Sequence, residues 1–235
     1  MRRSVGVVAA AAVCLCQSAM AADVGSPVGR PLARSWAGFY VGGHGGGVWS
    51  SSGYTFDNGS GTLENFGRDP ASWLFGAHVG LQGQWGNVVL GLEGAYDWTG
   101  LSSTETSVLF AGRTRSLDAD NIASVVGKVG YVSGNWMPYV KGGWAMADIR
   151  TFALNPATGT RAEGTNWEGG WTVGGGVDFM FAPFSPVLIL GVDFSYSAFD
   201  FNRSIVSSSG ASTAVWSNSS WDFYALTVRL SYLFN

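Results

Sequence analysis

"WLFGAHVGLQGQW", Trp73 to Trp85, decides the fold because it alternates along its whole length. Trp73, Phe75, Ala77, Val79, Leu81, Gly83 and Trp85 share one face; Leu74, Gly76, His78, Gly80, Gln82 and Gln84 share the other. A period of two marks a β-strand with two unlike faces. Gly86-Asn87 follows, and the alternation resumes. Val88, Leu90, Leu92, Gly94, Tyr96 and Trp98 fall on one face, while Val89, Gly91, Glu93, Ala95, Asp97 and Thr99 fall on the other. Two such segments across a Gly-Asn turn predict an antiparallel hairpin. From Trp73 to Trp85 the strand covers about 40 Å at ~3.3 Å per residue, or about 30 Å along the normal at a ~40° tilt. Trp73, Trp85 and Trp98 therefore read as an aromatic girdle at the two boundaries of a hydrocarbon layer.

Extending the alternation along the chain predicts eight strands, at 36–49, 73–86, 88–99, 119–132, 137–149, 169–181, 187–199 and 221–234. Their connections alternate in length. Gly86-Asn87, Ser133 to Trp136 and Ala182 to Pro186 are short, whereas 50–72, 100–118, 150–168 and 200–220 are long and polar. Composition agrees: 46% of residues are hydrophobic and only 12% charged, yet no apolar run after the leader approaches the ~18 residues of a membrane helix. The expected fold is all-β, an eight-stranded antiparallel up-and-down transmembrane barrel in the outer membrane of a Gram-negative bacterium, with both termini periplasmic. Outer-membrane lipid, lipopolysaccharide and the barrel-insertion machinery are the partners such a barrel requires.

A barrel makes a demand that the sequence can fail. A lysine or arginine facing mid-bilayer costs ~2–4 kcal/mol, so strand charges belong on the face opposite the aromatics. Glu93, Asp97, Lys128, Lys141, Asp178, Asp193 and Arg229 all fall on that inward face. Asp148, Arg150 and Asp222 fall at strand ends, beyond the bilayer. An eight-stranded barrel is barely wide enough for its own side chains. The seven inward residues thus predict a paired polar core, with a narrow porin-like pore as the alternative.

The first residues predict export. "MRR" is a positive n-region, Val5 to Leu15 a short apolar segment, and Ala19-Met20-Ala21 a cleavage site, so residues 1–21 read as a signal peptide. Residues 22–35, "ADVGSPVGRPLARS", read as a periplasmic lead-in and 36–235 as the barrel domain. Cys14 and Cys16 both leave with the leader, which removes disulfides and thiolate chemistry. Loss of Arg2 and Arg3 leaves 11 basic against 16 acidic residues, a net charge of −5, and argues against nucleic acid as a partner.

"HGGGVW", His44 to Trp49, resembles the backbone-donor segment of an esterase oxyanion hole. No G-x-S-x-G nucleophile elbow accompanies it, and the only histidines, His44 and His78, precede most of the acids. No catalytic residues are expected, and the chain reads as non-enzymatic. The segment fits instead as the upper half of the first strand, its glycines leaving lumen space for Lys128, Lys141 and Arg229. His44 and His78 both fall on the inward face, and adjacent antiparallel strands could bring them to similar heights near Asp97. They are the candidates for a haem or metal site, against the plainer reading of lumen hydrogen bonding; no cofactor is expected. The Ser/Gly/Asn-rich loops read as variable surface, with adhesion or a host or haem ligand as the functional alternative.

"WAGFYVGGHGGG" (36–47), "VGKVGYV" (126–132), "WMPYVKGGWA" (136–145), "GWTVGGGVDF" (170–179) and "LTVRLSYLF" (226–234) resemble the outer-membrane porin-like immunogenic proteins of alphaproteobacteria, within the opacity-protein and OmpA-like eight-stranded barrels. The resemblance implies a surface antigen that supports envelope integrity; some members bind haem and some are porin-like. It also implies a C-terminal insertion signal at Tyr232 and Phe234, here followed by Asn235, and only one basic residue, Lys128, where relatives carry two in the fourth strand.

Overall fold

A computed structural model describes residues 35–57, 63–68, 70–106, 114–155, 160–181, 187–206 and 213–234. The signal peptide with Ala19 and Ala21, the lead-in as far as residue 34, the turn at 182–186, and Asn235 lie outside the described residues. The strands are β1 (Gly38–Asp57), β2 (Leu63–Arg68), β3 (Ala71–Trp85), β4 (Val88–Thr106), β5 (Thr114–Tyr131), β6 (Trp136–Asn155), β7 (Thr160–Phe181), β8 (Val187–Val206) and β9 (Thr213–Phe234). No helix occurs among the described residues.

Each strand pairs antiparallel with its neighbour in the order β2-β1-β3-β4-β5-β6-β7-β8-β9, and β1 also pairs with β9. That last pairing closes the sheet into a barrel over the stretch where every strand is paired on both sides. The barrel nevertheless has eight staves. Trp49 opposes Ala71 of β3 and Ser52 opposes Arg68 of β2, so both strands hold one register against β1. They are two halves of one stave interrupted at Pro70, whose missing N–H cannot join the ladder. Trp85 opposes Val88 across Gly86-Asn87, with Gly86 at φ +60°, giving the two-residue hairpin expected from the sequence. Ser133 bridges Trp136 around Gly134, at φ +61°.

The expected strand ends fall short of the observed ones. The segments that read as long loops are mostly strand: β4 runs to Thr106, β5 begins at Thr114, β6 runs to Asn155 and β7 begins at Thr160. Apolar alternation ends where the bilayer ends, but backbone pairing does not depend on it. At this far end the cylinder divides. Pairing of β3 with β4 stops at Leu74↔Thr99 and that of β7 with β8 at Gly170↔Phe199, while the other pairings continue. The strands therefore extend as two four-stranded leaves, one of β4 to β7 and one of β8, β9, β1 and β2.

The two faces of the sheet are chemically separate. Outward positions are exposed and apolar, among them Phe75, Val79, Leu81, Leu92, Val140, Val192 and Val228. Trp73, Trp85 and Trp98, the expected girdle residues, are 55%, 66% and 41% exposed on this face. Inward positions form two apolar clusters. One at the turn end includes Trp36, Val89, Met137, Met180, Val187, Ile189 and Leu233; the other, at the far end, includes Val48, Leu74, Leu101, Ile122, Ile149, Phe199, Trp221 and Phe223.

Candidate functional site

Between the apolar clusters lies a polar layer built from side chains of seven strands. Arg229 of β9 is its centre. Its guanidinium donates to both carboxylate oxygens of Glu93 (β4) and, at 3.2 Å, to Tyr139 Oη (β6). It also lies 3.9 Å from Asp178 and from Asp193. Lys128 Nζ (β5) pairs with Asp178 Oδ2 (β7) at 2.6 Å and stands 3.8 Å from the centroid of the Tyr139 ring, a cation–π contact. Lys141 Nζ pairs with Asp193 Oδ1 at 2.7 Å. Tyr40 donates to Glu93 Oε2 at 2.8 Å and Tyr139 to Asp193 Oδ2 at 2.6 Å. Three cations thus face three carboxylates, and two tyrosines occupy further acceptor sites. Buried ions are stable only when paired and hydrogen-bonded in this way.

Asp97, the seventh charged residue, stands apart from this cluster and is paired with a histidine. Its Oδ1 contacts His44 Nε2, His44 Nδ1 lies 3.0 Å from His78 Nδ1, and His78 Nε2 lies 2.8 Å from Ser231 Oγ. The two histidines meet directly, with ring centroids 5.2 Å apart. One proton arrangement satisfies the chain with an ionised Asp97: His44 donates from Nε2, His78 from Nδ1 and Ser231 from its hydroxyl. All four ring nitrogens are then engaged, so binding of a haem iron or metal would have to break one of these bonds.

Glycine makes these contacts geometrically possible. Gly42 of β1 is opposed by His78 on one side and Ser231 on the other, and the His78–Ser231 bond passes over it. A Cβ at Gly42 would lie 2.5 Å from His78 Nε2. Gly76 lies likewise between His44 and Asp97, Gly80 between Tyr40 and Glu93, and Gly176 between Tyr139 and Asp193. In each case the middle strand gives up its side chain so that the outer two can bond across it. The inward glycines of β1 therefore leave room for His78 and for the backbone of β9.

The model of the outer membrane protein beta-barrel domain family matches residues 7–234. The chain belongs to this family. No curated protein matches it. Among solved structures it is similar to Ail, the attachment invasion locus protein of Yersinia pestis, at 10% identity over 84% of this chain and 99% of that one, with a TM-score of 0.40. It is also similar to Neisserial surface protein A, at 10% identity over 84% and 98% with a TM-score of 0.42. The outer membrane protease OmpT of Escherichia coli aligns at 11% identity over 84% and 97%, with a TM-score of 0.49.

Apolar clusters lie on both sides of the polar layer in the lumen of this outer-membrane barrel. At the turn end Trp36, 1% exposed, is drawn into the mouth: its N–H donates to Gln84 Oε1 at 2.7 Å and its carbonyl accepts from Gln82 Nε2 at 2.5 Å. Toward the far end a cavity beside His44, Asp97, Lys141, Ser124 and Thr227 admits water centres over about 60 Å³, enough for several waters at ~10–15 Å³ each. Phe223 lines it, and Trp221 and Phe199 pack with Phe223 in the far-end apolar cluster. On the side facing the charged cluster, Ser231 lines a second, smaller space with Tyr40, Lys128 and Arg229. Tyr232 and Phe234 lie at the β1–β9 closure, with Phe39 and Phe234 ring centroids 5.8 Å apart.

Proposed function

We propose that this chain is a non-conducting, non-enzymatic surface barrel of the porin-like immunogenic kind. In this reading it contributes to envelope integrity through its packed lumen and to surface contacts through its far-end hairpins, with both termini periplasmic. The pairing of the lumen charges between two apolar clusters carries the reading. A charge-balanced cluster between two apolar plugs supports a structural core and disfavours a conducting path, because an ion would have to displace buried pairs and cross both plugs. The engaged imidazole nitrogens likewise disfavour haem binding at His44 and His78.

A heat-modifiable gel shift of outer-membrane fractions followed by planar-bilayer recording tests the proposal. The expected result is a folded, heat-sensitive species without discrete conductance steps. Steps in the wild type whose size changes in Lys128→Ala or Glu93→Ala would establish the lumen as a pore and overturn the reading.

A further inference from the structure

Asp148 is the one acid on the barrel's outer wall that is both buried and short of a partner, among the described residues. Its chain neighbours Ala147 and Ile149 point into the lumen, so Asp148 faces outward, yet it is only 7% exposed. Its Oδ1 has no hydrogen-bond partner. An unpaired buried acceptor is costly and calls for a specific donor. Asn121 of β5 opposes it on one side and Trp167 of β7 on the other. Trp167 is 48% exposed, leaving an indole beside the acid.

The local backbone is shaped around this spot. The β4–β5 register shifts between Trp98 and Leu101, and the β5–β6 register between Ala119 and Asn121. Bulges of this kind re-aim side chains and gather beside functional sites. The second one frees Asp120 to pair with Arg150, 3.1 Å away, so that the strongest local cation is spoken for and does not satisfy Asp148.

Height identifies the ligand. Asp148 lies four residues beyond Trp144, whose exposed ring belongs to the outer belt. Four residues of tilted strand rise about 10 Å above that belt, into the headgroup layer. A ligand there must offer donors to a carboxylate, exchange hydrogen bonds with an amide and present an apolar face to an indole. A sugar ring has all three properties.

We infer that Asp148, Asn121 and Trp167 form a saccharide site for the headgroup of an outer-leaflet glycolipid. The inference rests on the outer-membrane reading above. The hydroxyl or amino donors of the sugar would satisfy Asp148, its C–H face would lie on Trp167, and Asn121 would fix its orientation. Because Asp148 Oδ1 is covered, the incoming headgroup must displace the side chains around it.

The test uses the full barrel in nanodiscs, titrated with purified lipopolysaccharide and read by native mass spectrometry, with a heat-modifiable shift checked for every variant. Wild type is expected to retain lipopolysaccharide. Asp148→Ala and Trp167→Ala should each weaken retention about tenfold, the change that loss of one charge-assisted hydrogen bond or stacking partner produces. Asn121→Ala provides a milder variant should Asp148→Ala fail to fold. Competition by delipidated core oligosaccharide separates the sources: displacement only by intact lipopolysaccharide supports the membrane glycolipid, whereas equal binding of the free sugar overturns that assignment. Equal retention by folded wild type and variants overturns the site itself. Wild type without a heat-modifiable shift would instead remove the barrel reading on which it rests.

Discussion

β1 carries two sets of glycines that differ in every respect except residue type. Gly42 and Gly46 face the lumen, where an added Cβ would collide with His78 or with the backbone of β9. Gly43, Gly45 and Gly47 face outward, where the same Cβ would find nothing nearer than 3.5 Å. The inward set is required by what crosses above it. The outward set is free of any contact that demands it. The difference shows how a barrel of only eight strands fits seven charged residues, two tyrosines and two histidines inside: side chains from one strand reach those two strands away over a glycine between them.

The largest effect should come from removing the residue that the most contacts converge upon. Arg229→Met would leave Glu93 buried with only Tyr40 as a partner and would unbalance three carboxylates against two lysines. Breaking a buried pair on one side costs about 3–5 kcal/mol, because the remaining charge stays desolvated. Urea unfolding in lipid vesicles, followed by the heat-modifiable shift, should show a loss of that size. Adding Glu93→Gln to Arg229→Met should recover part of it, and a double variant no more stable than the single would show that the cluster does not act through pairing.

A smaller effect tests the glycine saddle directly. In Gly76→Ala the new methyl would lie 2.6 Å from Tyr96 O and 2.7 Å from His44 Nε2, between the two partners of the His44–Asp97 contact. Backbone and bond must both shift, at an overpacking cost of about 1–3 kcal/mol. The imidazole resonances of His44 and His78 should move with the loss, since the relay from Asp97 to Ser231 runs through both rings. Unchanged resonances would show that the glycine serves the backbone alone.

Part of this arrangement is legible in the sequence itself. Parity along a strand depends only on counting, so the inward placement of Glu93, Asp97, Lys128, Lys141, Asp178, Asp193 and Arg229 follows from alternation. Which residues face each other depends on register, and register is a property of two strands. Tyr40 and Tyr139 have the inward parity of the acids they serve, but nothing in the chain ties Tyr139 to Asp193 across Gly176. Parity leaves the meeting of His44 and His78 open for the same reason. Trp36 lies at the very start of the alternating segment, and its turn into the barrel mouth is set by tertiary contacts with Gln82 and Gln84. Beyond the bilayer the legible signal vanishes altogether: Ser, Thr and Gly can pair as strand without alternating, so the two leaves read as loops. Asp148 reads as a strand-end charge, since a bulge such as that beside Asn121 leaves no mark in an alternation count.

The smallest prediction inverts the sign. Gly45 faces outward, and an alanine methyl there would lie 3.5 Å from Leu74 O and 3.8 Å from Phe75 Cβ, both ordinary contacts. Glycine within a strand is less stable than alanine by roughly 0.5–1 kcal/mol, because more backbone freedom is lost on folding. Gly45→Ala should therefore stabilise the barrel by about that much, while Gly76→Ala on the facing strand destabilises it. Measured side by side under one unfolding protocol, the pair isolates the face of the sheet as the variable. If Gly45→Ala proved as damaging as Gly76→Ala, the outward glycines would answer to a close approach from outside the chain.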